Sequence, residues 1–183
     1  MAHAASRGVE WGAKRGAMIP TMSKPMVSPP PAPLEPHFVE SLRTLFEERI
    51  AFNRVIGLRI DDIAAASVTG HLAMRPDLIG HDLHQRLHGG VISAALDAMA
   101  GVAVMAALGA RHAQEAPADR IRRFARLGTI DLRIDYLRPA TGPSFALRAE
   151  VMRLGSRVAS VRMDFADPDG RLLATGNATY IVS

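Results

Sequence analysis

The sequence contains no cysteine. This absence excludes disulfide-stapled scaffolds, thiolate nucleophiles and cysteine-ligated zinc sites, and it fits a reducing compartment, so we expect a cytoplasmic protein. Aromatic residues make up only 5% of the chain, and no lysine follows Lys24. Residues 37–183 carry 18 arginines against 16 acidic residues. Because nucleic-acid surfaces usually combine clustered basic residues with aromatic side chains, we expect no nucleic-acid partner.

Proline is scarce in most of the chain, since seven of the 12 prolines lie before residue 37. Residues 1–36 also lack hydrophobic periodicity, so the pattern predicts a disordered, proline-rich N-terminal tail. An organellar transit peptide is an alternative, although Glu10 and the missing apolar stretch argue against it, and an over-long translated start is another. Residues 37–183 hold enough apolar material for one core and predict a single domain.

Hydrophobic spacing predicts the secondary structure of this domain. Apolar residues recur every three or four positions after the tail and predict an amphipathic helix through Phe38, Leu42, Leu45, Phe46 and Ile50. Alternation and turn residues predict strands over residues 58–65, 68–74, 130–137, 145–154, 157–165 and 172–182. The arginine-rich stretch 111–126 is predicted to be a polar loop.

Residues 90–110 are apolar or small at every position except Ser93 and Asp97, which predicts one long buried helix. A membrane span is the alternative by length, but alanine dominates the run, and a central aspartate costs about 2.5–3.5 kcal/mol on insertion scales. We therefore expect no membrane span. The order of elements predicts an α+β fold in which an antiparallel sheet wraps around one central helix.

The chemistry is expected at Asp97 and at the start of the same helix. An unpaired buried charge is costly, so a carboxylate in such a helix indicates local hydrogen bonds, a partner or a function. Gly89 and Gly90 by themselves indicate a tight turn. Beside a buried carboxylate, they favour a helix N-terminus whose free N–H groups bind a developing oxyanion.

Gly89 and Asp97 are eight residues apart, which is about 12 Å along a helix axis. A carboxylate that directs water or attacks a carbonyl held at the helix start must lie within about 3–3.5 Å of the reacting atoms. One chain therefore does not supply both groups to one substrate. The simplest arrangement pairs Asp97 of one chain with the glycine turn of another across a two-fold axis.

Two stretches of the sequence, LHGGVISAALDAMAG and GTIDLRIDYLRPA, closely resemble the PaaI-type branch of the hotdog thioesterase superfamily. The resemblance covers about residues 55–182. It implies a hotdog fold, hydrolysis of an acyl-CoA to free acid and coenzyme A without a cofactor, and assembly as a homodimer or a dimer of dimers. The catalytic residues that it implies are His88, Gly89, Gly90, Asp97 and Thr129.

The resemblance leaves the role of each of these residues as an expectation. Asp97 is the general base for water or the nucleophile of a mixed anhydride, and both alternatives stay open. Gly90, with Gly89, would supply oxyanion donors, His88 would shape the turn, and Thr129 would orient water.

Substrate contacts are expected from His81 and Asp82, because many relatives carry asparagine near these positions, and often a glycine where Gln85 stands. The resemblance implies that Arg138 and Arg157 bind the phosphates of coenzyme A, with weaker candidates in Arg122, Arg123 and Arg126. His81 and His84 are a possible metal pair, but no supporting carboxylate spacing is present, so solvated loop histidines and no metal are expected.

Two other functions are compatible with the same fold. One is a non-catalytic regulator that binds acyl-CoA, although such a module has little reason to keep Asp97. The other is a hydratase or dehydratase, for which a different arrangement of histidine and acid around the central helix is expected.

Overall fold

The computed structural model describes residues 33–183. The predicted amphipathic helix is broken into α1 (Pro36–Thr44), a π-helical turn (Leu45–Arg49) and α2 (Ala51–Ile56), which ends at Gly57 with φ +76°. The break occurs at Ile50, whose backbone is extended. The buried Asn53 side chain donates to the Phe46 carbonyl at 3.0 Å and so replaces a helical hydrogen bond.

Eight strands and two further helices follow. Their bounds are β1 (Leu58–Ile63), β2 (Ser67–Ala73), β3 (Ile79–His81), β4 (Arg86–Leu87), α3 (Gly89–Arg111), α4 (Pro117–Arg122), β5 (Gly128–Tyr136), β6 (Ser144–Leu154), β7 (Val158–Ala166) and β8 (Leu172–Ile181). Six strands form one antiparallel sheet in the order β1-β2-β6-β7-β8-β5. The short strands β3 and β4 form a separate ribbon that the sequence pattern did not predict.

Helix α3 lies across the sheet, which wraps around it as predicted. Every residue from Met99 to Gly109 is buried. The helix is long and apolar enough to cross a membrane, but 72% of its most apolar window is buried inside the protein. Inward-facing residues of the central strands cover it, including Phe145 and Phe165, whose rings stack with centroids 5.1 Å apart. This burial explains why the helix is apolar on nearly all sides.

Strand β5 is an edge strand with only β8 beside it. None of its residues is fully buried, and Ile130 and Tyr136 are 58% and 53% exposed. A bulge lies between Thr129 and Asp131, so that Thr129 faces Tyr180 and Leu132 faces Ala178 on the neighbouring strand. Both Thr129 and Leu132 therefore point to the helix side of the sheet, although they are three positions apart in the sequence.

The predicted loop over residues 111–126 is wrong in part, because it contains α4 and a 3-10 turn (Arg123–Arg126). The side chain of Arg120 holds this segment against the core. Arg120 is 1% exposed, lies 4.5 Å above the centroid of the Phe38 ring, and pairs with Glu35. A charge pattern does not reveal a buried arginine, which is why the segment resembled a solvated loop.

The predicted disordered tail falls mostly on residues outside the described part of the chain, up to residue 32. At its C-terminal end, Leu34 packs against the core and Glu35 pairs with Arg120. These two residues therefore belong with the folded part, slightly before the predicted boundary at residue 37.

We expect Glu35→Ala to lower the free energy of unfolding by about 1–2 kcal/mol, because it leaves the buried Arg120 without its carboxylate partner. The half-exposed position of Glu35 keeps the loss below that of a fully buried pair. Urea unfolding measures the change. The control is Glu40→Ala on the same helix, whose exposed carboxylate is 3.9 Å from Arg43 and should contribute less than about 0.5 kcal/mol. Equal losses for the two variants would contradict the assignment.

Candidate active site

One stripe of helix α3 is not covered by the sheet. Ser93, Ala94, Asp97 and Ala98 are only partly buried, and they recur at the spacing of one helix face. The expectation of a fully buried Asp97 is therefore wrong. Its carboxylate opens into a cavity, because the sheet covers the opposite face of the helix.

This cavity has a volume of about 320 Å³ and lies between α3, the N-terminal helical segment and the start of β5. Apart from Asp97, Asn53, Thr129 and Tyr180, its lining is apolar or glycine: Phe46, Ile50, Phe52, Ala94, Ala98, Gly101, Phe124, Leu127 and Gly128. Phe46 and Phe124 meet edge to face with ring centroids 5.5 Å apart. The cavity thus has an apolar interior and one carboxylate.

The Asp97 carboxylate is held at one oxygen. Thr129 Oγ1 donates to Oδ1 at 2.9 Å, and Tyr180 Oη lies 2.5 Å from the same oxygen. Tyr180 Oη is also 2.7 Å from the main-chain oxygen of Asp97. Within residues 33–183, Oδ2 has no hydrogen-bond partner. The arrangement leaves Oδ2 free to face a ligand in the cavity.

The sequence led to Thr129 but missed Tyr180. Tyr180 occupies an inward position of β8, where alternation alone indicates a core residue. Its burial, together with the Asp97 carboxylate, raises the pKa of the Tyr180 hydroxyl above its ordinary value. The hydroxyl therefore stays protonated at neutral pH and remains a hydrogen-bond donor.

His88 caps the N-terminus of α3. Its Nδ1 accepts a hydrogen bond from the Gly90 N–H at 2.9 Å. The expected oxyanion donor Gly90 is thus already engaged, because the histidine ring folds back over the first turn. Among residues 33–183, no acceptor is bonded to the Gly89 N–H. Gly89 is therefore the better candidate for an oxyanion donor.

The far end of β5 is tied to the same helix start. Tyr136 Oη donates to the Gly89 carbonyl at 2.9 Å, and Ser93 Oγ reaches that carbonyl at 3.1 Å. Ser93 and Tyr136 are also hydrogen-bonded to each other. These contacts fix the helix N-terminus beside one end of β5, while Asp97 is fixed beside the other end through Thr129.

A second cavity, of about 540 Å³, lies at the helix start. His81, Arg86 and Arg138 line it beside His88 and Gly89. The Nε atom of Arg86 is buried and has no hydrogen-bond partner within residues 33–183. This second cavity is therefore a cationic groove, which suits an anionic ligand. It shares no lining residue with the Asp97 cavity.

Two expected substrate contacts lie elsewhere in the chain. Asp82 is exposed in a short turn, where its carboxylate and carbonyl bind the side chain of Gln85. Arg157 lies at the end of the sheet that carries Gly128, whereas Arg138 follows the other end of β5. A strand of this length spans about 27 Å. Arg138 and Arg157 of one chain therefore do not meet.

Two of the three weaker arginine candidates are engaged in local ion pairs. Arg123 pairs with Glu115 and holds the pKa of that carboxyl below its ordinary value. Arg122 pairs with Asp119. Arg126 lies beside them on the same surface.

The rings of His81 and His84 stack with centroids 4.8 Å apart. Residues 33–183 contain no group of three or more histidine, aspartate or glutamate side chains placed to hold a metal ion. Gln85 has φ +46°, the left-handed conformation that favours glycine. The glycine that the family resemblance implies at this position would adopt this conformation without strain, and the Gln85 side chain offsets the strain through its hydrogen bond of 2.7 Å to the Asp82 carbonyl.

Comparison with known proteins decides the family. The sequence profile of the thioesterase superfamily matches residues 84–174. The medium/long-chain acyl-CoA thioesterase YigI of Salmonella typhimurium is 35% identical over 138 residues, which cover 75% of this chain and 89% of that protein. YigI of Escherichia coli is 33% identical over the same length. The chain belongs to the thioesterase superfamily.

A solved structure supports the same conclusion. A thioesterase-superfamily protein from Shewanella oneidensis superposes with a TM-score of 0.76 at 34% identity, covering 80% of this chain and 96% of that one. The predicted hotdog fold is confirmed, and so is the predicted enzyme class, a thioester hydrolase. The PaaI-type branch stays a prediction.

Proposed function

We propose that this enzyme hydrolyses acyl-CoA thioesters, with Asp97 as the catalytic carboxylate. The observation that carries the proposal is the carboxylate itself, which lines an apolar cavity and is anchored at Oδ1 by two hydroxyl groups, while Oδ2 has no partner within residues 33–183. The relatives named as medium/long-chain acyl-CoA thioesterases support coenzyme A as the leaving group.

The apolar cavity is the proposed site of the acyl chain. Its lining offers no charged group except Asp97, so an alkyl chain can replace water there without leaving other charges unpaired. The aromatic pair of Phe46 and Phe124 closes one side. Since the thioester carbonyl must lie at Asp97, the alkyl chain extends from it toward Gly101 and the two rings.

Two chemical routes are compatible with this placement. In the first, Oδ2 of Asp97 removes a proton from water as the water oxygen attacks the carbonyl carbon; the C–S bond then breaks and the thiolate takes up that proton. In the second, Oδ2 attacks the carbonyl carbon, the thiolate leaves, and water hydrolyses the resulting anhydride. Both routes place a negative charge on the carbonyl oxygen and require a donor for it.

We place that donor, the Gly89 N–H, on a second copy of the chain. The inward positions of β5 are Thr129, Leu132, Ile134 and Tyr136. Because of the bulge, Thr129 takes the inward position that residue 130 would have in a regular strand. The four inward positions are therefore symmetric about Arg133, with two on each side. The unpaired edge of β5 can therefore add a second β5 in antiparallel orientation without reversing the two faces of the sheet.

This pairing brings the two halves of the site together. Thr129 then lies opposite the partner subunit's Tyr136 where the two β5 strands meet. Since Thr129 contacts Asp97 and Tyr136 contacts Gly89, the carboxylate of one chain approaches the helix start of the other. The cationic groove with Arg86 and Arg138 comes with that helix start and would bind the phosphates of coenzyme A. A homodimer is thus the smallest complete enzyme, and two dimers can associate further.

The first test is Asp97→Asn, which preserves the size and the contacts of the side chain but removes its charge. We expect hydrolysis to fall at least about 100-fold with an unchanged fold, as measured by thiol release from a panel of acyl-CoA substrates. The matched control is Asp62→Asn, an exposed aspartate of β1, which should keep full activity. Near-normal turnover in folded Asp97→Asn protein would contradict the role of Asp97.

The second test concerns the dimer. Because the chain has no cysteine, Arg133→Cys introduces a single thiol at the proposed two-fold axis. Residues facing each other in antiparallel strands have Cα atoms about 4.5–5.5 Å apart, which lies within disulfide range. Oxidation should therefore give a covalent dimer that a reductant separates.

The control for this cross-link is Arg162→Cys on β7, an exposed residue with a strand on each side. It should stay monomeric in denaturing electrophoresis. A cross-link in the control but none at Arg133 would rule out pairing through β5.

The third test concerns the acyl chain. A Cβ atom at Gly101 would lie 3.2 Å from Phe46 Cε1, so in Gly101→Ala the cavity lining gains a methyl group and the aromatic ring must shift by a few tenths of an ångström. We expect kcat/KM for a long-chain substrate such as palmitoyl-CoA to fall about tenfold or more, while hexanoyl-CoA is hydrolysed normally. Urea unfolding checks that the variant stays folded. Equal losses on both substrates would place the acyl chain elsewhere.

A further inference from the structure

Tyr180 is the buried neighbour of Asp97 that the expected catalytic residues do not include. It is 3% exposed. On the adjacent strand β5 it faces Thr129, the other donor to the carboxylate. Its hydroxyl lies near two oxygens of Asp97, at 2.5 Å from Oδ1 and 2.7 Å from the main-chain oxygen. Among the side chains of the cavity lining, only that of Tyr180 hydrogen-bonds both the carboxylate and the main-chain oxygen of Asp97.

We propose that Tyr180 is a positioning residue for Asp97, whose hydroxyl fixes Oδ1 and thereby assigns the chemistry to Oδ2. This inference rests on the proposed function of Asp97. Two hydroxyl donors on Oδ1 restrict rotation of the carboxylate and leave Oδ2, which has no hydrogen-bond partner within residues 33–183, as the oxygen available at the cavity. A carboxylate free to rotate would present either oxygen and would lose the defined geometry that attack on a carbonyl requires.

The second contact of Tyr180 gives its hydroxyl an alternative acceptor. A phenol has one hydrogen, so it donates either to Oδ1 or to the main-chain oxygen. While Asp97 is ionised, the donation to Oδ1 is the stronger bond, because the acceptor is charged. When the carboxylate takes a proton during hydrolysis, rotation of the hydroxyl by a small angle transfers the bond to the carbonyl. The buried phenol is thus satisfied in both states.

The test is Tyr180→Phe, which keeps the ring in the core and removes only the hydroxyl. We expect kcat to fall about 10- to 100-fold with KM changed less than about threefold, because the lost interaction acts on the carboxylate rather than on substrate binding. The split between kcat and KM therefore separates a positioning role from a role in substrate binding.

The matched control is Thr175→Val on the same strand. It also removes a hydroxyl that donates to a carboxylate, that of Asp164 at 2.8 Å, but on the opposite face of the sheet. This variant should keep kcat unchanged. If it lowers kcat as Tyr180→Phe does, the effect belongs to the strand and the proposal fails.

A second measurement does not depend on activity. The 13C resonance of the Asp97 side-chain carboxyl can be compared by NMR at neutral pH in the wild type, in Tyr180→Phe and in Thr175→Val. A resonance that is displaced or broadened in Tyr180→Phe alone supports the proposal even if no substrate in the acyl-CoA panel is hydrolysed, an outcome that would remove only the proposed function. An unchanged resonance together with an unchanged kcat would show that Tyr180 has no part in positioning the carboxylate.

Discussion

Burial of helix α3 inside the curve of the sheet is the constraint on which the rest of the structure depends. A helix of 23 residues that is enclosed on most sides must be apolar and small, and its sequence is rich in alanine and glycine. Such a helix has room for a polar side chain only along the face that the sheet leaves open. Asp97 lies on that face, and the cavity, the hydroxyl donors and the N-terminal helical cover are arranged around it.

The N-terminal segment completes the enclosure in an unusual way. A regular helix from α1 through α2 would carry Phe46 and Ile50 along one straight face. The π-helical turn and the bend at Ile50 instead direct Phe46 toward Gly101, and Asn53 compensates the lost backbone bond. Departures from regular helices of this kind are frequent at functional sites. Here the irregularity forms one wall of the cavity at Asp97.

Much of the fold could be predicted from the sequence, because the strands alternate strictly and the central helix has almost no polar residue. Asp97 and the His88-Gly89-Gly90 turn also carry a local signal. Tyr180 does not, since its hydrogen-bond partner lies 83 residues earlier in the chain and its inward position is indistinguishable from that of a core residue. Arg120 was missed for the opposite reason, since a buried arginine resembles a solvated one until its partners Glu35 and Phe38 are located.

The bulge in β5 limits the changes of length that this strand can tolerate. Side chains of a strand alternate between two faces, so one further residue inserted between Thr129 and Leu132 would turn Thr129 away from Asp97. Loss of the extra residue of the bulge would instead leave a regular strand with Thr129 and Leu132 still on the same face. Insertions among related chains should therefore accumulate in the connection between α3 and β5 rather than within β5.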